Sequence, residues 1–310
     1  MATIIITGGT GLIGKALTHS LLEKKHKVII LSRSEPKDKI PGAGYAKWDI
    51  NAGRIDESAI ASADCIVHLA GAGVADKRWT AKRKQEIIDS RVKSGELLIT
   101  SLKEIPNHIT TVVASSAIGW YGPDPVVPNP NPFREDAPSS EDFLGETCRK
   151  WEQSLEPLAR MGKRHVTLRT GIVLAQDGGA LKEFRRPLTF GLATILGTGK
   201  QVMSWVHIDD IVRLYVAAIE NEKMQGIYNA VAPRPVSNKE LILQLAKVKK
   251  GNFFIPIHVP AFILRMVLGE MSIEVLKSTT VSCDKLHIAG HTFLYPSIDA
   301  ALQQLSESKD

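Results

Sequence analysis

Near the amino end, the run Thr7-Gly8-Gly9-Thr10-Gly11-Leu12-Ile13-Gly14 follows an apolar stretch at 4–7 and opens a helical pattern. Glycines at this spacing permit a tight turn, let the backbone approach a pyrophosphate and leave room for a helix to pack on a strand. The helix N-terminus then turns its N–H groups and the positive end of its dipole toward the phosphates. The order strand, turn, helix separates a dinucleotide-binding turn from an ordinary Gly-rich connection. The next candidate strand, 27–31, runs into Ser32-Arg33-Ser34 and not into the Asp or Glu that would hold a free ribose 2′-hydroxyl. Arg33 offers a planar fork of donors to a 2′-phosphate, with Ser32 as an additional donor, so the expected cofactor is NADP (NADPH). The bland alternative for Arg33 is a solvated loop arginine. The three cysteines, Cys65, Cys148 and Cys283, are far apart and odd in number, which yields neither a disulfide framework nor metal-ligand spacing. No metal is expected.

These residues need a scaffold, and the first half of the chain supplies one by alternation. Short β-rich runs at 4–7, 27–31, 65–70 and 111–115 are interleaved with helical patterns from Gly11 and over 81–104. Further strands are expected at 165–169 and 226–230, with a helix over 209–220 between them. Such alternation predicts an α/β fold, a Rossmann-type doubly wound parallel sheet of about seven strands. A Pro- and Asn-rich stretch at 123–138 and a Gly-rich stretch at 177–199 read as long loops. After Pro233 the periodicity turns mostly helical, giving a smaller C-terminal lobe. The expected division is a dinucleotide-binding domain of 1–175 and 203–232, and a substrate-side lobe of 176–202 and 233–310.

Composition bounds the partners. Of 310 residues, 44% are hydrophobic and 23% charged, ample for a well-buried core. A net charge of +6 suits an anionic ligand, and because basic residues are scattered among acidic ones no nucleic-acid binding is expected. No charged leader and no membrane-spanning run is read, so a cytoplasmic location is expected. The apolar run at 259–268 reads as the core of the lobe, in preference to a membrane-surface helix.

Further marks lie along the chain: Trp48-Asp49, His68-Leu69-Ala70-Gly71, Arg78-Trp79, Ser90-Arg91-Val92, Trp120-Tyr121-Gly122, Trp151-Glu152, Arg169-Thr170-Gly171, the stretch 205–210, Tyr228-Asn229 and the segment 253–302. With the glycine turn, they make the chain resemble the extended short-chain dehydrogenase/reductase superfamily over nearly its whole length. The resemblance is closer to an atypical, epimerase-like branch with a short distinctive C-terminal domain. It implies that Asp49 and Ile50 lie near the adenine, that Leu69, Ala70 and Gly71 lie under the cofactor, and that the turn from Gly171 flanks the nicotinamide. A turn-forming Asp49 and small residues chosen for packing are the bland alternatives.

The superfamily uses Tyr with Lys four residues later, and aligning Trp151-Glu152 puts Leu144 and Cys148 at those places. Neither can lower the pKa of a phenol or exchange a proton as that pair does. Ala117 falls at the usual serine position, with Ser115 and Ser116 just before it. Tyr121 and Ser116 are therefore the candidate catalytic residues, with Glu146, Cys148, His207 and Asp209 also weighed. Arg78 and Arg91 are read either as holders of an anionic group or as partners of nearby carboxylates. The expected activity is that of an oxidoreductase or epimerase-like enzyme acting on a small organic substrate, with a possible homodimer. The alternative is an NADP-binding sensor or interaction module without redox chemistry.

Overall fold

The computed structural model describes residues 1–35 and 38–307. Residues 308–310 of the expected lobe lie outside the described residues. In chain order, β1 (Thr3–Thr7), α1 (Leu12–Glu23), β2 (Lys27–Ser32), β3 (Gly44–Asp49), β4 (Arg54–Ile55), α2 (Glu57–Ser62), β5 (Cys65–His68), α3 (Ala81–Glu104) and β6 (Thr111–Ala117) form the first half. Then α4 (Phe143–Ser154), α5 (Pro157–Arg160), β7 (Arg164–Thr170) and β8 (Ile172–Ala175) lead into α6 (Gly179–Leu188), β9 (Leu192–Leu196), β10 (Val202–Met203) and β11 (Trp205–His207). The chain closes with α7 (Ile208–Glu220), β12 (Gly226–Ala230), β13 (Val236–Ser237), α8 (Asn238–Lys250), β14 (Ile255–Val259), α9 (Ala261–Leu268), α10 (Ser272–Leu276), α11 (Asp284–Ile288) and α12 (Ile298–Glu307).

The main sheet has eight strands in the order β12-β7-β6-β5-β1-β2-β3-β4, one more than the sequence suggested. Only the two-residue β4 is antiparallel, to β3. Strands such as β1 and β5 are buried along nearly their full length, as parallel strands covered on both faces must be. One face packs Leu17 and Leu21 of α1 against Ile211 and Tyr215 of α7, while the other packs Leu98 and Leu102 of α3 against Ile60 and Leu158.

Register aligns the functional edge. Thr7 pairs with both Leu31 and His68, so the turns after β1, β2 and β5 leave the sheet at one level. β6 and β7 run three residues further, pairing through Ala117 and Thr170, and raise a wall beside that edge. Order reverses between β1 and β5, which is where open α/β sheets place ligands.

A third cluster packs Leu181 and Leu188 of α6 with Leu241 and Leu245 of α8 and Leu302 of α12, and joins them to Leu174, Trp205 and Ala232. Here two sequence readings are corrected. The Gly-rich stretch 177–199 is not a loop: it holds α6 and β9, and its glycines mark the ends of those elements. Leu181, Phe184 and Leu188 supply the helical face that the glycines obscured. The run 259–268 is not lobe core either: α9 buries Leu264 but leaves Phe262, Met266 and Val267 about two-thirds exposed. The stretch 123–138 carries no helix or strand, as expected; it meets the returning chain in an isolated β-bridge, Phe133 with Val281, and through hydrogen bonds of Asp124 to Ser278 and Thr280.

Candidate functional site

The glycine turn joins β1 to α1 at the point where strand order reverses. Gly8 has a φ of +70°, and a Cβ there would stand 2.9 Å from the backbone of Leu69. At Gly14 a Cβ would come within 2.3 Å of the Gly8 carbonyl oxygen. Both glycines are thus dictated by the protein's own backbone. Gly11 differs. It is exposed, extended at φ −78°, and a Cβ there would meet only the Gly8 oxygen at 3.3 Å. A Cβ there would be tight against that one backbone oxygen and otherwise faces open space. No side chain caps α1 and no acid stands in its first turn, so its N-terminus is available to an anion. These features fit a pyrophosphate resting on Thr10, Gly11, Leu12 and Ile13.

Thr7 serves the scaffold. Its hydroxyl oxygen accepts from the N–H of Leu69 at 3.1 Å and of Ala70 at 3.2 Å, and pairs with His68 Nδ1 at 2.8 Å. His68 Nε2 in turn meets Ser94 Oγ at 3.3 Å. This holds the Leu69-Ala70-Gly71 turn level with the glycine turn, with Gly71 exposed.

At the other end of the crevice, Ser32 Oγ donates to the Ser34 carbonyl at 2.6 Å, and Arg33 is exposed without an ion pair among the described residues. Asp49 Oδ1 accepts from the N–H of Asn51 and Ala52, both at 3.0 Å, so Asp49 does begin a turn. Ile50 packs partly against the core beside β3.

The raised ends of β6 and β7 carry a buried polar network. Ser116 Oγ donates to Glu152 Oε1 at 2.6 Å, and Glu152 makes a two-pronged pair with Arg169, both contacts at 2.9 Å. Arg169 lies 3.7 Å above the Trp120 ring and donates to the Tyr121 hydroxyl at 3.0 Å. Tyr121 donates to Asn229 Oδ1 at 2.6 Å and is fully buried, and burial pushes its phenol up to about 12. The structure thus puts Tyr121 and Ser116 in one network, each hydroxyl committed to a protein partner.

Leu144 and Cys148 pack on Gly119, and the Cys148 thiol, pushed up to about 12 by burial, donates to the Ala117 carbonyl. Glu146 is paired with Lys150 at 2.7 Å. His207 caps α7 through Nδ1 and meets Gln304 with Nε2 at 3.0 Å, so it is a packing residue. Gly171 fits where a Cβ would come 2.8 Å from Ser204 and Val231.

Sequence reasoning marked Glu152, Arg169 and Asn229 by resemblance alone and assigned them no role. An arginine inside an otherwise apolar strand pattern was the signal available, since such a charge is buried only with a partner. Reasoning also missed Lys277, whose Nζ reaches the Tyr121 carbonyl at 3.3 Å, Glu274 at 2.9 Å and Asp142 at 3.5 Å. With Lys84 on Glu270 at 2.8 Å, it links the expected lobe to α3 and to the start of α4.

No helix among the described residues is long and apolar enough to cross a membrane. Residues 4–230 match the model of the NAD dependent epimerase/dehydratase family, and 259–305 match a domain of unknown function, DUF1731. The epimerase family protein YfhF of Bacillus subtilis is 35% identical over 306 residues, covering 97% of both chains. The crystal structure of the human epimerase family protein SDR39U1 with NADPH superposes with a TM-score of 0.87 at 28% identity, over 99% of this chain and 100% of that one. A nucleoside-diphosphate sugar epimerase from Corynebacterium glutamicum, 33% identical, superposes with a TM-score of 0.77 over 98% of this chain and 58% of its own. Fold, glycine turn and these likenesses agree: the chain belongs to the NAD dependent epimerase/dehydratase family.

Proposed function

We propose that this chain is an NADP-dependent oxidoreductase or epimerase-like enzyme whose small organic substrate binds between the Rossmann sheet, 1–175 and 203–232, and the lobe formed by 176–202 and the residues after 232. The observation that carries it is Gly11, a glycine that faces open space at the topological switch point. Thr10 to Ile13 would hold the pyrophosphate, Arg33 and Ser32 the 2′-phosphate, Asp49 and Ile50 the adenine side, and Ala70, Gly71 and Gly171 the nicotinamide side. The NADPH in the human relative's structure supports the choice of nucleotide. A bound dinucleotide would supply a hydride donor or acceptor, and the chain supplies binding, orientation and exclusion of water. In this reading Tyr121 and Ser116 are the proton-handling hydroxyls of the crevice wall, and in the chain without substrate their hydroxyl hydrogens are committed to Asn229 and Glu152. All three cysteines are free and buried, which suits a reducing cytoplasm.

The same commitment favours a second reading, an NADP-binding sensor without redox chemistry. Titration of NADPH into wild type and Gly11→Val, with deuteride transfer from labelled NADPH to a panel of carbonyl compounds and nucleotide sugars, separates the readings. Wild type should bind, and Gly11→Val should fold and lose binding, since φ at that position is ordinary and only the cradle is filled. Transfer to any substrate establishes the enzyme, whereas tight binding without transfer favours the sensor. A folded Gly11→Val protein with normal affinity would remove the phosphates from this turn.

A further inference from the structure

β9 and β14 form a two-stranded parallel sheet in which Leu192 pairs with Ile255, Thr194 with Ile257 and Leu196 with Val259. Side chains alternate along a strand, so these residues share one face, while Ala193 and Ile195 point the other way, into the cluster with α8. All but Thr194 are apolar, yet none belongs to a buried core cluster among the described residues. Only Ile255 is exposed; the others are half-buried, which marks a recess and not an open surface. Leu276 closes the end of the recess beside Gly197, where a Cβ would meet its side chain at 2.8 Å. Apolar area left out of the core and yet sheltered is the mark of a ligand-binding groove.

The strand pair is carried across the crevice by its neighbours in the chain. The start of α6 rests on the glycine turn, where a Cβ on Gly178 or Gly179 would meet the Leu12 side chain at 3.3 Å. The end of α9 rests on the chain beyond Gly71, where Arg78 Nη2 donates to the Met266 carbonyl at 3.3 Å. β9 follows α6 and β14 precedes α9, so the recess belongs to the span between these two footings. A nucleotide sugar would bring a diphosphate here, and a diphosphate leaves water only where cations or N–H donors receive it. None of the side chains on this face carries a charge, and Lys277, the cation next to Leu276, is already paired with Glu274 at 2.8 Å and Asp142 at 3.5 Å. What such a wall can hold is apolar area.

We propose that the substrate is a neutral carbonyl compound with a large apolar body, seated on Leu192, Leu196, Ile257 and Val259, and not a nucleotide sugar; the assignment rests on the enzyme reading above. Fluorescence titration of N-phenyl-1-naphthylamine, a neutral apolar probe, followed by displacement with 2-alkanones of increasing length or with UDP-glucose, tests it in wild type, Ile257→Asp and Ile255→Asp, with NADPH titrated separately. The ketones should displace the probe, each added methylene tightening binding about threefold, and UDP-glucose should not. Ile257→Asp should weaken the probe at least tenfold while NADPH affinity stays within twofold. Where Ile257→Asp does not fold, Ile255→Asp, at an exposed position of the same face, should weaken it severalfold. Ketone affinity that does not grow with chain length, displacement by UDP-glucose, or probe binding unchanged in the folded variants overturns the assignment. NADPH binding without ketone binding overturns it and leaves the cofactor reading standing. Ketone binding that follows chain length in a protein that binds no NADPH upholds the recess and sinks the cofactor reading.

Discussion

Arg33 is exposed at the end of β2, free of any ion pair among the described residues, beside a serine whose hydroxyl is turned to a backbone carbonyl. A side chain so placed contributes nothing to the core, and its cost in rotamer freedom on binding is met only by a ligand that matches its fork. Charge-assisted bonds to a 2′-phosphate are worth roughly 1.5–3 kcal/mol, or at least tenfold in affinity. NADP(H) should therefore bind at least tenfold tighter than NAD(H), and Arg33→Ala should erase the difference by weakening NADP(H) alone. Titrations of both nucleotides decide it; a wild type without preference, or a variant that keeps it, excludes Arg33 as the determinant. The place of Arg33 at the end of β2 was legible in the sequence because its relation to the glycine turn is local to one strand–helix–strand unit. Tyr121 shows the opposite case. Its partner Asn229 is 108 residues away in sequence, and no local pattern announces that the two meet.

Elements were readable wherever period and boundary agreed. The helix at 81–104 and the strand at 226–230 fall where the sequence put them, because each carries its own pattern and stop signals. α6 was lost because glycines crowd its ends. His68 shows how elements are locked to one another: it ends β5, touches Thr7 at the end of β1, and reaches Ser94 on α3. Burial keeps it neutral, holding its pKa down to about 3 from an ordinary 6.5. Above pH 6.5 neither folded nor unfolded His68 is charged, and its linkage contributes no pH dependence. Below it, the unfolded chain takes up a proton that the folded chain refuses, so stability falls by about 1.4 kcal/mol per pH unit until the folded pKa is reached. Urea unfolding at pH 7 and pH 5 should show wild type losing roughly 2 kcal/mol more than His68→Gln over that interval. Equal losses would mean that His68 takes up its proton in the folded state.

At the scale of the molecule, the question is what keeps the lobe registered over the sheet. The Lys84–Glu270 contact is an ion pair near the surface, and such pairs contribute little singly. Asp124 is better placed. It is about nine-tenths buried, and its carboxylate accepts from Ser278 Oγ at 2.8 Å, Thr280 Oγ1 at 2.7 Å, the Thr280 N–H at 2.9 Å and Asn129 Nδ2 at 2.9 Å. Its own N–H donates to the Ser278 carbonyl at 2.8 Å. One carboxylate thereby straps the Pro-rich stretch after β6 to the chain returning from α10, while Ser204 binds that chain from the other side through Thr279 and Val281. Truncating Asp124 leaves two hydroxyls, a backbone N–H and the Asn129 amide without their acceptor, at a cost of about 2–4 kcal/mol. Among the described residues the strap makes no hydrogen bond to the glycine turn, so the loss should be local. Asp124→Ala should lower the melting temperature and speed amide exchange over 278–282, with exchange in β1 and β5 and the affinity for NADPH nearly unchanged. Exchange that rises equally in β1 would show that lobe and sheet open as one unit, and that the strap belongs to the global fold and not to the cleft.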